Sequence, residues 1–139
     1  MSPQEIARKS AELLWAEDLT AQAHGMRLES VGPGEASLSM VLTKAMTNGH
    51  GIGHGGFIFL LADTAFAYAC NSHNQRCVAQ HCSISYLKPA REGSRLVAAA
   101  REVQRVERSG VYDVGVRDEE GTAIAEFRGL SRTVPGRFF

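Results

Sequence analysis

The pattern of hydrophobic and polar positions predicts two helices, a hairpin and a later run of strands. A first helix is expected over about residues 3–18, because Ser2 precedes a proline and Glu5 follows in the first turn. Apolar residues alternate from Met26 to Leu42 around a break at Gly32-Pro33-Gly34, which predicts a β-hairpin. Three or four further strands are expected, over about residues 77–87, 94–106, 110–118 and 122–133.

The segment FIFLLADTAFAYAC has almost no polar interruption and few β-branched residues, so a helix is expected over about residues 54–72. A helix that is apolar nearly all round has to be enclosed by other elements. Hairpin-connected strands without strand–helix alternation predict an α+β hotdog fold, in which an antiparallel sheet wraps around one long central helix. Such a sheet keeps one edge and one face open, which predicts a homo-oligomer.

Length, charge and cysteine usage narrow the class of protein. A chain of 139 residues suits one core, so residues 1–139 are expected to form a single domain. The 15 Lys and Arg residues balance 15 Asp and Glu residues, which argues against a nucleic-acid or membrane-surface partner. Cys70, Cys77 and Cys82 show no CxxC spacing and are interpreted as small core residues. No signal-like or membrane-spanning segment is recognised, which predicts a cytoplasmic location.

A glycine-rich loop precedes the apolar helix. Gly51, Gly53 and Gly56 spell G-x-G-x-x-G, but no strand directly precedes them and no acidic residue lies between Asp63 and Glu92. A dinucleotide-binding turn is therefore rejected. Glycines at the start of a buried helix leave backbone N–H groups uncrowded, at the end where the helix dipole attracts negative charge. The loop either holds an oxyanion or is a sterically demanding connection.

Asp63 is the sole acidic residue of the apolar helix. Because an unpaired buried carboxylate is costly, a functional carboxylate is favoured over a partly exposed aspartate that bridges to a neighbouring strand. Asp63 follows Gly55 by eight residues, or about 12 Å along a helix axis. One chain cannot bring both groups to one carbonyl. If they act together, the site combines Gly55 of one protomer with Asp63 of another, and we expect a dimer of dimers with sites at the dimer interface.

The motif NGHGIGHGG followed by LADTAFAYACNS resembles the phenylacetate-degradation thioesterases, the PaaI type of hotdog enzyme. The resemblance continues through SISYLKPAREG, SGVYDVGV and EFRGLSRTV and so covers most of the chain. It implies hydrolysis of aryl-acetyl thioesters of coenzyme A, with ring-hydroxylated phenylacetyl-CoA as the typical substrate.

The resemblance also implies roles for single residues. Asp63 is the general base or nucleophile, Gly55 the oxyanion N–H donor, His54 a hydrogen-bonding group near the thioester sulfur, and Asn48 an orienting amide. Ala79 stands where some relatives keep a serine or threonine that holds the attacking water. This chemistry needs a base or nucleophile and N–H donors, and no cofactor.

Further residues are candidates for substrate binding. Gly56 and Phe57 are candidates near the acyl group, as is Phe66, although core packing is favoured for both phenylalanines. Four basic residues near strand ends are candidates for the coenzyme A phosphates, and each is also typical of a solvated strand face. They are Lys88, Arg91, Arg108 and Arg128.

The histidines predict no metal site. His50 and His54 lie four residues apart, but His50 belongs to the glycine loop, so a helical ligand pair is not expected. No motif surrounds the others, His24, His73 and His81.

Two other functions stay open. A non-catalytic acyl-CoA-binding hotdog protein would carry Asp63 without using it. A dehydratase of the same fold is less favoured, because no histidine follows His54 in the predicted helix.

Overall fold

A six-stranded antiparallel sheet packs against one long helix in the computed structural model, which describes residues 1–139. The strands are β1 (Arg27–Gly32), β2 (Glu35–Val41), β3 (Cys77–Tyr86), β4 (Arg95–Val106), β5 (Ser109–Arg117) and β6 (Ala123–Thr133). The helices are α1 (Pro3–Glu17), α2 (Leu19–Ala23) and α3 (Gly55–Cys70), with a short 3-10 turn at Lys44–Met46. The predicted hotdog fold is confirmed.

The sheet order is β1-β2-β4-β5-β6-β3, and every neighbouring pair is antiparallel. β3 precedes β4 in the chain but pairs only with β6, so β3 and β1 form the two edges. α3 contacts all six strands. Its buried side chains include Leu61 and Phe66, which pack in one core with Leu38, Val114 and Phe127 from the sheet.

Local hydrogen bonds explain where the helices begin and end. The Ser2 hydroxyl accepts from the Glu5 N–H at 3.1 Å and the Ser2 N–H donates to Glu5 at 2.9 Å, so the expected N-cap is a full capping box. α1 ends at Glu17, just before the predicted end, because Asp18 accepts from the Ala21 N–H at 3.1 Å and starts α2. The sequence pattern did not predict α2.

Asn71 ends α3 and leads the chain into β3. Its Nδ2 group donates to the carbonyl of Ala67 at 2.9 Å, and its Oδ1 accepts from the Cys77 N–H at 2.8 Å. The predicted hairpin break is confirmed, with β1 ending at Gly32 and β2 beginning at Glu35. Gly34 has a φ of +72°, a backbone conformation that favours glycine. No helix has the length and apolar character needed to cross a bilayer.

Gly129→Ala is expected to lower the free energy of unfolding by about 1–3 kcal/mol, the usual cost of overpacking a core. A Cβ at Gly129 on β6 would lie 2.8–2.9 Å from three atoms of the Phe66 ring, and that ring is almost fully buried and cannot move aside. Urea denaturation measures the change. Gly115→Ala on β5 is the matched control, because its Cβ would meet only Glu126, at 3.6 Å. Equal stability of the two variants would contradict the close packing of β6 on α3.

Candidate active site

The first turn of α3 presents an unused backbone donor. His54 is the N-cap residue, and its Nδ1 accepts from the Gly56 N–H at 2.8 Å. The His54 N–H donates to the carbonyl of Met46 at 2.8 Å, which ties the cap to the 3-10 turn. No hydrogen bond within the chain uses the Gly55 N–H. Gly55 therefore offers a free donor at the positive end of the helix dipole.

Asn48 closes the glycine loop in front of this turn. Its Oδ1 accepts from the N–H groups of His50 and Ile52, at 2.9 and 3.4 Å, and its backbone N–H donates to the Ile52 carbonyl at 2.8 Å. Since Oδ1 accepts from backbone donors, the amide orientation follows from the network. The Asn48 Nδ2 group has no acceptor within the chain and remains available to a ligand.

A cavity of about 370 Å³ lies beside the Gly55 turn. This volume is within the usual range for small-molecule sites. Of the predicted site residues, Asn48, Gly55 and Lys88 line it. The other lining residues are mostly apolar: Ile52, Gly53, Ile58, Tyr86, Leu87, Pro89 and Ala90.

Tyr86 is a cavity residue that the sequence reasoning did not single out. It is the last residue of β3, and its hydroxyl donates to the Gly55 carbonyl at 2.8 Å. The available signal was its position inside the motif SISYLKPAREG, where an aromatic residue ends a strand.

Asp63 lies two turns further along α3 and does not line this cavity. It forms no ion pair, and its polar neighbour is the Cys82 thiol of β3, which donates to Oδ1 at 3.9 Å. Burial raises the pKa of Asp63, and the hydrogen bond from Cys82 only partly offsets this. Burial and the neighbouring carboxylate raise the pKa of the Cys82 thiol, which keeps it a donor.

The face of α3 that carries Asp63 is incompletely covered. Leu60, Thr64 and Ala67 on this face are partly exposed, although α3 is the most apolar element of the chain. Asp63 and Gly55 are separated by about 12 Å along the helix axis, from the rise per residue. Within one chain the structure therefore does not bring the two groups together.

The other acyl-group candidates lie outside the Gly55 cavity. The Gly56 N–H is occupied by His54. The Phe57 ring packs near His24, with ring centroids 5.6 Å apart, and lines a separate hollow. Phe66 is a core residue.

The four basic candidates are widely spread. Lys88 lines the cavity, whereas Arg91 lines a different hollow beside the acidic turn between β5 and β6. Arg108 lies in the turn between β4 and β5. Its carbonyl accepts from the N–H of Thr133, the last residue of β6, which pairs with the start of β3. Arg128 forms two hydrogen bonds to Asp113, at 2.6 and 2.9 Å. No group of three or more His, Cys, Asp or Glu residues is placed to hold a metal ion.

Comparison with known proteins identifies the family to which the chain belongs. The family model described as the thioesterase superfamily matches residues 50–125. Together with the hotdog fold, this shows that the chain belongs to the thioesterase superfamily. It is 39% identical to the acyl-coenzyme A thioesterase PaaI of Escherichia coli K12 over 130 residues, which cover 94% of this chain and 93% of that protein. The resemblance noted from the sequence motifs is confirmed.

Two solved structures extend the comparison. The E. coli PaaI protein from the phenylacetic acid degradation operon matches with a TM-score of 0.96 at 38% identity, covering 98% of this chain and 99% of that one. A protein of Streptococcus mutans UA159, solved bound to acetyl-CoA, matches with a TM-score of 0.78 at 25% identity, covering 81% and 91%.

Asp63→Asn is expected to raise the free energy of unfolding near neutral pH. The pKa of Asp63 is higher in the folded chain than its value of about 3.9 in the unfolded chain. The free energy of unfolding therefore falls as the pH rises from the unfolded pKa through the folded pKa, and the whole cost is present above the folded pKa. Removing the charge removes this cost. Urea denaturation at fixed protein concentration should show an advantage for the variant that is largest at about pH 7 and shrinks on acidification.

Asp113→Asn is the matched control with the opposite sign. Hydrogen bonds from Arg128 hold the pKa of Asp113 below its ordinary value, so its contribution stabilises the fold above the unfolded pKa and is lost on acidification. This variant should be less stable than the wild type near neutral pH. An Asp63→Asn effect that does not vary with pH would contradict a half-buried carboxylate whose loss of solvation Cys82 only partly offsets.

Proposed function

We propose that this protein hydrolyses acyl-CoA thioesters to the free acid and coenzyme A, with an aryl-acyl-CoA such as phenylacetyl-CoA or its ring-hydroxylated form as substrate. The observation that carries the proposal is the free Gly55 N–H at the start of α3, beside a cavity that also holds Asn48. A preorganised backbone donor at the positive end of a helix is suited to the oxyanion formed when a thioester carbonyl is attacked.

The residues of the helix start supply the remaining polar groups. The Gly55 N–H donates to the thioester oxygen, and the free Nδ2 of Asn48 orients the substrate. His54 Nδ1 accepts from the Gly56 N–H, so a neutral His54 ring carries its proton on Nε2. That Nε2–H donates to the thioester sulfur and assists its departure as a thiolate.

Asp63 supplies the reactive carboxylate, either by deprotonating a water or by attacking the carbonyl carbon. A raised pKa increases the affinity of this carboxylate for the proton of the water and so makes it a better base. The Cys82 thiol restrains one oxygen, Oδ1, and leaves Oδ2 available.

The reacting site combines Gly55 of one protomer with Asp63 of its partner. The separation of about 12 Å along α3 supports this arrangement, and so does the partly exposed face around Asp63. The edge strand β3 contains no Lys, Arg, Asp or Glu, and Val78 on it is 51% exposed, so nothing protects this edge from pairing with a second copy. A dimer of dimers is part of the same proposal, because the outer face of the sheet stays open after that pairing.

Apolar cavity residues and one basic residue support the substrate class. Ile52, Ile58 and Leu87 suit a hydrophobic acyl or pantetheine segment. Lys88 on the same cavity is the foremost candidate for a coenzyme A phosphate. The aryl preference rests on the similarity to the E. coli protein of the phenylacetic acid degradation operon. We also propose that the reaction takes place in the cytoplasm.

A non-catalytic acyl-CoA-binding protein is the second candidate. Ala79 lies exposed on β3 and has no hydroxyl to hold a water near a carboxylate, which favours binding without efficient turnover. Turnover measurements separate the two candidates.

Thiol release from a panel of acyl-CoA esters, with the wild type and Asp63→Asn, tests the proposal. The wild type should prefer aryl-acetyl esters to straight-chain ones. Asp63→Asn should lower kcat by about 100-fold to 10,000-fold with little change in substrate affinity, because only the reacting carboxylate is lost. Asp113→Asn is the control and should keep wild-type turnover. Wild-type binding without turnover of any ester would support the binding protein instead.

Mixing two inactive variants tests the shared site. Gly55→Pro removes the N–H at the first helical position, where proline is tolerated, and His54 already has the extended backbone that precedes proline, with φ −65° and ψ 130°. Its Cβ would approach the half-exposed Tyr86 ring at 3.0 Å, which requires only a small shift. This variant alone should lose about 100-fold to 1,000-fold in kcat.

Co-refolded Gly55→Pro and Asp63→Asn subunits should recover about one quarter of wild-type activity, because half of the dimers are mixed and each mixed dimer holds one intact site. Circular dichroism and mass spectrometry confirm folding and mixing. Mixed dimers without recovered activity would overturn the composite site and leave the role of Asp63 unaffected.

A further inference from the structure

Tyr86 contacts the oxyanion-donor residue in two ways. Its hydroxyl donates to the Gly55 carbonyl at 2.8 Å. A Cβ placed on Gly55 would lie 3.0–3.3 Å from the hydroxyl and ring atoms of Tyr86, so the ring covers the face where a side chain would stand. Both residues line the cavity of about 370 Å³.

The turn that Tyr86 contacts is held from outside its own segment by a backbone hydrogen bond, from the His54 N–H to the Met46 carbonyl at 2.8 Å. Gly55 and Gly56 have no side chains and therefore more backbone freedom than other residues. The cap bond from the Gly56 N–H to His54 restrains the turn from within the same segment. Tyr86 is the one residue outside that segment whose side chain hydrogen-bonds to Gly55 or Gly56.

We propose that Tyr86 is a positioning residue that holds the Gly55 N–H in the direction required by the oxyanion, an inference that rests on the proposed thioesterase function. The hydroxyl holds the Gly55 carbonyl, and the ring occupies the side of Gly55 where a Cβ would stand, so two contacts with β3 restrain the residue that carries the N–H. An oxyanion donor contributes fully only if it is aligned before the reaction, and small displacements of reacting groups are costly in rate. Support from a neighbouring strand provides this alignment.

The contact between Tyr86 and Gly55, here called the Tyr86 tether, also links the site to the free edge of the sheet. Tyr86 ends β3, the edge strand that pairs only with β6. The same strand holds the Cys82 thiol against Asp63. β3 therefore contacts both residues proposed for the chemistry, Asp63 through Cys82 and Gly55 through Tyr86.

Tyr86→Phe removes the hydroxyl and keeps the ring. We expect kcat for an aryl-acetyl-CoA ester to fall about fivefold to tenfold, the loss in rate that corresponds to one hydrogen bond, with KM nearly unchanged. The carbonyl stretch of a bound ketone analogue of the thioester should shift toward its value in water, because a less aligned Gly55 N–H polarises the carbonyl less. A merely structural tyrosine would lower the melting temperature and leave this frequency unchanged.

Tyr112→Phe is the matched control. Its hydroxyl donates to Glu102 at the same distance of 2.8 Å, and it does not line the cavity. This variant should keep the wild-type kcat and carbonyl frequency. Wild-type values of kcat and carbonyl frequency in Tyr86→Phe would overturn the proposal.

A readout without turnover separates this proposal from the proposed function. The ¹⁵N order parameters of the Gly55 and Gly56 amides should fall in Tyr86→Phe and stay unchanged in Tyr112→Phe. If the wild type hydrolyses no ester, the proposed function fails, and an unchanged Gly55 order parameter then overturns the Tyr86 tether as well. Turnover by the wild type with unchanged order parameters and kcat in Tyr86→Phe overturns the role of Tyr86 alone.

Discussion

Burial of α3 is the constraint on which the rest of the structure depends. A helix with so few polar side chains needs cover on nearly every side, and the six strands provide it around residues such as Leu61 and Phe66. Packing is close enough that Gly129 has no room for a side chain. Because β3 lies at the sheet edge, the cover ends along the face that carries Asp63. The dimer proposed above would cover this incompletely enclosed face of the apolar helix.

Three residues in the glycine loop and at the start of α3 each use one polar atom for structure and leave another without a partner within the chain. Asn48 closes the glycine loop through Oδ1 and leaves Nδ2 free. His54 caps the helix through Nδ1, which assigns the proton of the neutral ring to Nε2. Gly55 contributes its carbonyl to Tyr86 and leaves its N–H free. The hydrogen bonds that shape the turn therefore also decide which donors stay free, and two of the three residues, Asn48 and Gly55, line the cavity.

Two aspartates show how surroundings give one side chain two different properties. Asp113 lies beside Arg128 on the outer face of the sheet, and these hydrogen bonds lower its pKa. Asp63 has only a thiol for a neighbour, and burial raises its pKa. By linkage, the first arrangement is expected to stabilise the fold at neutral pH, whereas the second is expected to cost stability and to make the carboxylate a stronger base. The proposed catalytic role of Asp63 rests on this arrangement, a half-buried carboxylate without a charged partner beside a partly exposed apolar face.

Much of the fold could be predicted from the sequence, because hydrophobic periodicity and turn residues report local structure directly. The bounds of α3, the hairpin break at Gly32-Pro33-Gly34 and the later strands followed from such patterns. The helical rise alone separated Gly55 from Asp63. Hydrophobic periodicity did not single out Asn48 and His54, which were predicted as site residues only because the motif around them resembles a known family. Periodicity, turn residues and helical rise all depend on residues that are close together along the chain.

Tertiary structure decided which elements lie opposite one another. Periodicity shows that a face is buried but not what covers it, so the edge position of β3 beside β6 and the contact of Tyr86 with Gly55 could not be read from the pattern. Arg128 was one of four candidate phosphate ligands that are also typical of a solvated strand face, and cross-strand register places it against Asp113. Phe57 follows Gly55 by only two residues, yet the helical turn directs it into another hollow. Such contacts depend on strand order and helix rotation, which are set only when the whole chain packs.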